Sequence, residues 1–403
     1  MIQPFSRCAT LCIVVALTAC NAIAPGSNPN MALGQPAMPS NLDAGRPVTQ
    51  FRVKGRQIEM TTIRGAAPAK REIMFIKGVD YGPTPICSTT LDNPLGNSNR
   101  AIWRRDLPQF RALNINAIKV YNANPNAEPL SNFLDQAYNN GKRPIYVILS
   151  IFFPGKAMLN QGAVNDLAGQ YRKLAQDNGA YPAVIGMSIG SEVNAEDLIK
   201  NPDWWKGMST LARAAKEGFR LAGQPEKLIT TTMVDDGMNT VRAGEQNNFP
   251  VDAWGINAYK GAKFGDLWST YEAASKKPFI VSEYGTPVGF HPNDNPYKAK
   301  EFPPRSVHLV TDYIGGLAEQ MYQHSTLNGG PNSGGFYFEF NDEWWKGGDD
   351  CIQLTSPHAP DPKFVGGFDD EAWFGLNIIS EGNPNVLTPR PAFSTLQEIW
   401  ANQ

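Results

Sequence analysis

Short apolar runs alternate with amphipathic segments along most of the chain. Between the runs, apolar residues recur at helical spacing, as in Val164, Leu167, Tyr171 and Leu174. Buried strands that alternate with helices predict a parallel sheet covered by helices, and eight repeats favour a closed (β/α)8 barrel over an open sheet. The predicted strands are 74–79, 117–121, 145–150, the run before Glu192, 228–234, 253–259, the run before Glu283, and 335–340.

A shorter element precedes the barrel. Residues 51–58 alternate apolar and polar positions about Gly55, which predicts a short β-hairpin. We place this hairpin across the bottom of the barrel, where the strands begin. The sequence has no internal repeat and no sign of a second globular domain. Residues 49–403 are therefore predicted to be one (β/α)8 domain with a short N-terminal β-hairpin.

The first residues have the features of a targeting signal. Residues 11–17 are apolar but too few to span a bilayer, and residues 17–20 resemble a bacterial lipoprotein box. Cleavage there would leave Cys20 as a lipid-modified N-terminus. An ordinary secretory signal with a chance cysteine is the alternative, but the small residues Thr18 and Ala19 favour lipidation. We predict a lipoprotein signal peptide over 1–19 and a flexible tether over 20–48.

The expected location follows from this signal. Several acyl chains on Cys20, palmitate among them, would anchor the protein firmly to a membrane. By resemblance to known sorting patterns, Asn21 in place of an aspartate indicates the outer membrane. The sequence therefore predicts a lipid-anchored protein of the bacterial cell envelope.

Composition and charge exclude several classes of function. The 403 residues carry a formal net charge of -2, so there is no basic surplus to neutralise phosphates, and nucleic acid is excluded as a partner. The four histidines show no zinc-ligand spacing, and we predict no metal and no cofactor. Acidic residues at 349–350 and 369–371 could hold calcium, but a solvated loop is the better interpretation.

Cysteine usage agrees with an oxidising compartment. Cys8 and Cys12 would leave with the signal peptide and Cys20 would carry lipid, so the mature domain keeps Cys87 and Cys351. An even pair in such a compartment predicts a disulfide, and two buried free thiols are the alternative.

Two glutamates each follow an apolar run. Glu192 ends the fourth predicted strand and Glu283 ends the seventh. The C-terminal ends of barrel strands share one rim, and a carboxylate placed there is costly to desolvate, so a pair indicates a function. Paired carboxylates are the groups that cleave glycosidic bonds. The alternative, a solvated residue at a strand end, fits either glutamate alone better than it fits the pair.

Several motifs have the order and spacing of a known enzyme group. They are residues 75–81, 117–121, 190–193, 255–259, 282–285, 337–340 with Glu343, and 374–376. The chain resembles the clan of (β/α)8 glycoside hydrolases in which glutamates ending strands four and seven are acid/base and nucleophile. Within this clan it is most similar to the β-1,3-glucanosyltransferases of glycoside hydrolase family 72. The likeness covers about residues 74–377.

The resemblance implies a retaining double-displacement reaction. Glu283 would be the ionised nucleophile, steadied by donors such as the Tyr259 hydroxyl. Glu192 would be the protonated acid/base, with a pKa raised by burial and by its charged neighbour.

Other residues near the strand ends are candidates for binding sugar. Asparagines and glutamates can bond hydroxyls, and aromatic rings can stack on sugar rings, but core packing or loop anchoring is an equal alternative. Glu339 could instead pair with Lys119 inside the barrel. The candidates are Tyr81, Tyr121, Ser191, Asn194, Asn257, Tyr259, Glu339, Glu343 and Trp344.

Two positions depart from the family pattern. Ser191 stands where the clan commonly has asparagine, and Lys119 stands where the fungal enzymes have arginine. The predicted function is that of a retaining β-glycosidase or transglycosylase acting on a β-glucan or related envelope polysaccharide. Ser191 keeps an alternative open, a non-catalytic glycan-binding lipoprotein on a degenerate barrel.

Overall fold

The computed structural model describes residues 47–290, 300–301, 304–354, 361 and 363–403. The predicted signal peptide, the lipidation site Cys20 and most of the predicted tether lie outside these residues.

Sixteen strands are described. They are β1 (Val48–Lys54), β2 (Gln57–Ile63), β3 (Lys70–Ile73), β4 (Ile76–Asp80), β5 (Ala117–Lys119), β6 (Tyr146–Ser150), β7 (Val184–Ile189), β8 (Leu228–Thr231), β9 (Met233–Val234), β10 (Trp254–Asn257), β11 (Phe279–Tyr284), β12 (Gly289–Phe290), β13 (Lys300–Glu301), β14 (Asn332–Tyr337), β15 (Asn377–Ser380) and β16 (Val386–Pro389).

Nine α-helices accompany these strands in the same ranges. They are α1 (Arg100–Ala112), α2 (Ser131–Tyr138), α3 (Gln161–Asn178), α4 (Glu196–Ile199), α5 (Pro202–Leu221), α6 (Asn239–Gln246), α7 (Leu267–Ala274), α8 (Pro304–Gln323) and α9 (Pro391–Ala401). Within the described part of the chain, no helix is long and apolar enough to cross a bilayer.

The predicted (β/α)8 barrel is confirmed. Neighbouring strands pair in parallel in the order β8-β7-β6-β5-β4-β14-β11-β10-β9. The ring has nine segments because the fifth barrel strand is broken at Thr232 into β8, which pairs with β7, and β9, which pairs with β10. All eight apolar runs that predicted strands therefore lie in the barrel wall.

The break in the fifth strand has a local cause. Beside β8, the Thr231 hydroxyl donates to the carbonyl of Gly255 and accepts from its N–H, each at 3.0 Å. A side chain thus takes the place of ladder hydrogen bonds at this point. Gly255 allows the close approach, because a Cβ there would lie 1.9 Å from the Thr231 carbonyl oxygen.

Helices α3 and α5 pack closely on the outside of the barrel. Each begins at an asparagine whose side chain accepts a backbone N–H: Asn160 from Ala163, and Asn201 from Asp203. The backbones meet at Gly218, where a Cβ would lie 2.2 Å from the carbonyl oxygen of Arg172. Glycine is therefore required at this contact.

The predicted N-terminal hairpin is confirmed as β1 and β2, which pair in an antiparallel register around the turn at Gly55. A third strand, β3, joins the hairpin and was not predicted, because it is short, polar and largely exposed. The sheet lies at the bottom of the barrel, since Thr49 bonds the hydroxyl of Tyr146 at the start of β6.

The predicted disulfide is also confirmed. Cys87 and Cys351 are bonded across a sequence separation of 264 residues. Cys87 lies after barrel strand β4 and Cys351 lies after β14, so the bond joins two loops at the top of the barrel.

Candidate active site

The predicted catalytic glutamates meet at the top of the barrel. Glu283 lies within β11, and Glu192 lies three residues after β7. Asn257 stands between them: it is the register partner of Glu283, and its amide donates to Glu192 Oε1 at 2.8 Å. Two carboxyl groups that are far apart in sequence therefore adjoin the same asparagine.

Glu283 is buried and surrounded by hydrogen-bond donors. The Tyr121 hydroxyl donates to Oε1 at 3.0 Å, and the Tyr259 hydroxyl donates to Oε2 at 3.2 Å. The ammonium of Lys119 lies 3.4 Å from Oε1. Burial raises the pKa of both tyrosine hydroxyls, and nearby carboxylates raise it further, so they remain donors. This set of contacts stabilises an ionised carboxylate.

Lys119 joins Glu283 to a second acid. Its ammonium lies 2.8 Å from Asp80 at the end of β4, and both side chains are almost fully buried. Burial lowers the pKa of Lys119, but the charges of Asp80 and Glu283 outweigh that effect and raise it. Burial raises the pKa of Asp80 well above its usual value. Lys119 is therefore a fixed positive charge behind the proposed nucleophile.

Glu192 has an unusual backbone. Its φ of 52° is in the left-handed region, and Gly190 two residues earlier has φ 79°. Such a conformation costs a non-glycine residue roughly 1 kcal/mol or more, so the surrounding structure must hold it. The Glu192 N–H donates to the Thr232 carbonyl at 2.8 Å, at the residue where the fifth strand is broken. The strand break thus fixes the turn that presents Glu192.

The carboxyl of Glu192 has a raised pKa. Desolvation by the surrounding protein and the charge of Glu283 raise the pKa of this carboxyl to about 7, while the Asn257 amide opposes the rise. The residue as a whole is exposed at the open top of the barrel, so solvent and salt screen part of the Glu283 contribution. At neutral pH this carboxyl can both give and accept a proton.

Asn257 is held in one orientation. The Ser282 hydroxyl donates to Asn257 Oδ1 at 2.7 Å, which leaves the amide NH2 to face Glu192. Asn257 is 2% exposed and belongs to β10. Asn257 therefore positions Glu192 in this structure, and its contact with a sugar stays a prediction.

The eighth strand contributes a second charged group. Glu339 and Glu343 are buried, and both carboxylates contact the ammonium of Lys346, at 3.2 and 2.8 Å. Burial lowers the pKa of Lys346, but the two carboxylates outweigh this and raise it. The alternative pairing of Glu339 with Lys119 is wrong: Lys119 contacts Asp80 and Glu283, because β4 and β11 bring those acids to it.

An aromatic cluster supports the two tyrosines. The ring of Phe338 lies 6.4 Å from the rings of Tyr121 and Tyr259, both edge-on. The Lys346 ammonium lies 4.1 Å from the centre of the Phe338 ring. Phe338 therefore connects the charged group of the eighth strand to the residues that hold Glu283.

Two predicted sugar-binding residues serve the protein interior instead. Tyr81 is fully buried, donates to Asp106 at 2.7 Å and packs on Phe110, so it does not line a subsite. Asn194 bonds the backbone of Val234 and the Thr240 hydroxyl, which uses both ends of its amide to anchor a loop. Both outcomes are the alternatives that the sequence left open, and long-range contacts decide them.

The remaining candidates lie at the top of the barrel. Ser191 is half-buried beside Glu192, and Trp344 is half-buried at the start of a short 3-10 helix after the eighth strand. The indole N–H of Trp344 is buried and has no hydrogen-bond partner within the described structure. Asp80 and Lys346 are site residues that the sequence did not single out. A charged residue next to a predicted strand end is the signal that could have found them.

The acidic clusters make local contacts. Asp349 accepts the backbone N–H groups of Cys351 and Ile352. Burial and the charge of Glu371 raise the pKa of Asp369 to about 7. Apart from these acids, the rim offers the adjoining carboxyl groups of Glu192 and Glu283.

Comparison with known proteins agrees with the motifs. The family described as Glucanosyltransferase, glycoside hydrolase family 72, matches residues 48–220. The predicted resemblance is thus confirmed over the first four barrel strands, which include Glu192 but not Glu283. Two yeast proteins are similar over about half of this chain. The 1,3-beta-glucanosyltransferase gas5 of Schizosaccharomyces pombe is 27% identical over 236 residues, and GAS5 of Saccharomyces cerevisiae is 25% identical over 228.

These matches cover 53% and 54% of this chain but only 43% and 44% of the relatives, so the chain spans less than half of their length. Among solved structures, Saccharomyces cerevisiae Gas2p in complex with laminaritriose and laminaritetraose aligns with a TM-score of 0.57 at 16% identity, over 88% of this chain and 68% of that one. A family 2 beta-galacturonidase from Eisenbergiella tayi aligns with a TM-score of 0.56 at 14% identity, over 88% and 54%. These likenesses show the fold.

Proposed function

We propose that this chain is a retaining β-glycosidase or transglycosylase that cleaves a β-glucan, and that it acts as a glucanosyltransferase when a sugar hydroxyl takes the new chain end. The observation that carries the proposal is the contrast between two neighbouring carboxyls: Glu283 is held by three donors, while the pKa of Glu192 is about 7. A retaining mechanism needs this pair of an ionised nucleophile and a protonated acid. The names of the yeast relatives support a β-1,3-glucan as substrate.

In the first step, the Glu283 carboxylate attacks the anomeric carbon. The glycosidic C–O bond breaks, and Glu192 gives its proton to the departing oxygen. An ester joins the sugar to Glu283, which loses its negative charge. Because that charge raised the pKa of Glu192, the pKa falls once the ester has formed.

In the second step, Glu192 acts as a base. It removes a proton from an acceptor hydroxyl, whose oxygen attacks the anomeric carbon and displaces Glu283. Water as acceptor gives hydrolysis, and a sugar hydroxyl gives transfer. Tyr121, Tyr259 and Lys119 stabilise the carboxylate that leaves.

The test is incubation with oligosaccharides of defined linkage. The purified protein is mixed separately with β-1,3-, β-1,4- and β-1,6-linked glucose oligomers, and the products are separated by mass. Products longer than the substrate, from the β-1,3 series and not from a Glu283→Gln variant, are expected. Unchanged oligomers together with measurable binding would instead support the alternative, a glycan-binding protein without catalysis.

We also propose that the protein is lipid-anchored in a bacterial envelope through Cys20. Residues 17–20 have the pattern of a lipoprotein box, and the proline-containing stretch 24–39 lacks the apolar periodicity of a folded element, as is typical of a tether. Expression of the full chain in a bacterial host with labelled palmitate tests this. We expect label and membrane association that a Cys20→Ser variant loses. Equal membrane association of both forms would overturn the anchor.

A further inference from the structure

One aromatic residue at the catalytic rim is exposed without an evident structural reason. Phe152 is 63% exposed, and no other phenylalanine, tyrosine or tryptophan is exposed among those whose side chains the structure describes. It lies two residues after β6, the third barrel strand, on the face that carries both glutamates. Its neighbours Ile151 and Phe153 are 4% and 2% exposed. They anchor the loop in the core and leave Phe152 in solvent.

The loop that carries Phe152 is tied to the nucleophile side of the site. The Phe152 N–H donates to Asn122 Oδ1 at 3.2 Å. Asn122 follows Tyr121, whose hydroxyl contacts Glu283. The position of Phe152 is therefore set relative to the residues around the nucleophile.

The same loop is tied to the acid/base side. The Tyr171 hydroxyl donates to the carbonyl of Ile151 at 3.0 Å and accepts the N–H of Gly190 at 3.4 Å. A Cβ at Gly190 would lie 3.5 Å from the ring of Phe153. Gly190 begins the turn that presents Glu192. Phe152 thus adjoins the strand that supplies the proposed proton donor.

We propose that Phe152 is a stacking platform for a glucosyl ring on the leaving-group side of the scissile bond. The proposal rests on the proposed function. The leaving oxygen must lie at Glu192, and the strand before Phe152 pairs with the strand before Glu192, so the loop of Phe152 borders the leaving-group side of the cleft. A β-linked glucosyl ring presents an apolar C–H face, which an exposed aromatic ring covers well. After the ester forms, the same place holds the acceptor sugar.

Three variants separate stacking from a general defect. Phe152→Ala removes the ring, Phe152→Trp keeps an aromatic face, and Leu221→Ala is a matched control. Leu221 is 43% exposed and ends α5 at the opposite end of the barrel, before β8 begins. Laminaripentaose serves as donor and laminaritriose as acceptor, with transfer and hydrolysis products measured together.

We expect Phe152→Ala to raise the KM for the acceptor about tenfold and to lower the ratio of transfer to hydrolysis, with kcat for hydrolysis changed by less than about twofold. Phe152→Trp should retain the parental ratio, and Leu221→Ala should change neither quantity. An unchanged acceptor KM and ratio in Phe152→Ala would overturn the proposal. Equal losses in the alanine and tryptophan variants would also overturn it, because an aromatic face would then not be the cause.

A binding measurement separates this proposal from the proposed function. Titration of laminaripentaose into Glu283→Gln, with and without Phe152→Ala, reports binding in the absence of turnover. If the parent protein shows no turnover but Phe152→Ala still weakens binding about tenfold, Phe152 stacks on the glucan and the proposed transferase activity is wrong. If the parent turns over substrate but both forms bind laminaripentaose equally, the transferase activity is supported and the stacking role of Phe152 is wrong. Absence of binding by either form overturns the platform.

Discussion

The top and the bottom of the barrel both hold cations, but they use them differently. At the top, Lys119 contacts Asp80 and Glu283, and Lys346 contacts Glu339 and Glu343. Each ammonium there is paired with carboxylates. A change of charge on one of these acids is therefore felt by the other groups of the rim.

At the bottom, two basic side chains contact backbone carbonyls. The Arg56 guanidinium, at the turn between β1 and β2, donates to the carbonyls of Glu272 and Ser275 at the end of α7, at 3.2 and 2.7 Å. Lys227, just before β8, donates to the carbonyls of Tyr181 and Val184. Burial lowers the pKa of Lys227 to about 7, but the carbonyl acceptors of both groups do not titrate, so these two contacts hold elements together without pairing acids and bases. The acid–base groups of the predicted reaction therefore lie at one end of the barrel, and contacts that serve stability lie at the other.

The largest expected effect is at the nucleophile. Glu283→Gln keeps the size and the hydrogen-bonding shape of the side chain but removes the attacking charge. We expect transfer to fall by about 10⁴-fold or more, as for other covalent catalysts that lose their nucleophile. Product analysis after long incubation measures it, and thermal unfolding checks the fold. Activity within tenfold of the parent would remove Glu283 from the proposed role.

A smaller loss is expected at the acid/base. Glu192→Gln cannot protonate the leaving oxygen, which general acid catalysis typically accelerates by about 10²–10⁴-fold. The loss should shrink for a glucoside with a nitrophenolate leaving group, because that group departs without a proton. Rates with laminaripentaose and with the aryl substrate are compared. An equal loss with both substrates would contradict a role as proton donor.

The pH dependence tests the contrast more finely. Glu192 must be protonated in the first step, so kcat/KM should fall as the pH rises through about 7. Asn257→Ala removes an N–H that stabilises the ionised carboxylate, so the pKa of Glu192 should rise and the alkaline limb should move to higher pH. A pH–rate profile of both forms measures the shift. Movement of the alkaline limb to lower pH would show that the Asn257 amide raises the pKa of Glu192 instead of lowering it.

The smallest expected effect on activity is at the bottom. Arg56→Ala removes two hydrogen bonds to carbonyls at the end of α7 and should lower the free energy of unfolding by ~1–3 kcal/mol. Its kcat/KM at 25 °C should stay within about twofold of the parent value. Urea unfolding and transfer assays on the same preparation check both statements. A large loss of activity with unchanged stability would show that Arg56, at the bottom of the barrel, serves the reaction and not the stability of the fold.

Much of the barrel could be predicted because its strands are simple. A strand that is buried on both faces must be a nearly continuous apolar run, and each of the eight predicted runs forms a strand of the barrel. The polar strand β3 escaped prediction because its residues are largely exposed and carry no alternation. The break at Thr232 escaped because it depends on contacts of Thr231 with Gly255 on the neighbouring strand.

The site was only partly predictable, for a related reason. Residue type and position at a strand end singled out Glu192, Glu283, Tyr121 and Tyr259, which the barrel brings together. Tyr81 carried the same signal and turned inward to Asp106. A tyrosine at a strand end can point to solvent or into the wall, and the choice depends on neighbours that are distant in sequence.

The sequence by itself determined that eight buried strands would close into a barrel and that two glutamates would stand at one of its ends. Apolar periodicity and position along the chain are local properties, so they can be read without coordinates. Only the tertiary structure decided that Glu283 meets three donors while Glu192 is tuned by Asn257 and by the charge of Glu283. The pKa of a carboxyl depends on burial and on charges within a few ångströms, and those neighbours come from different strands of the ring.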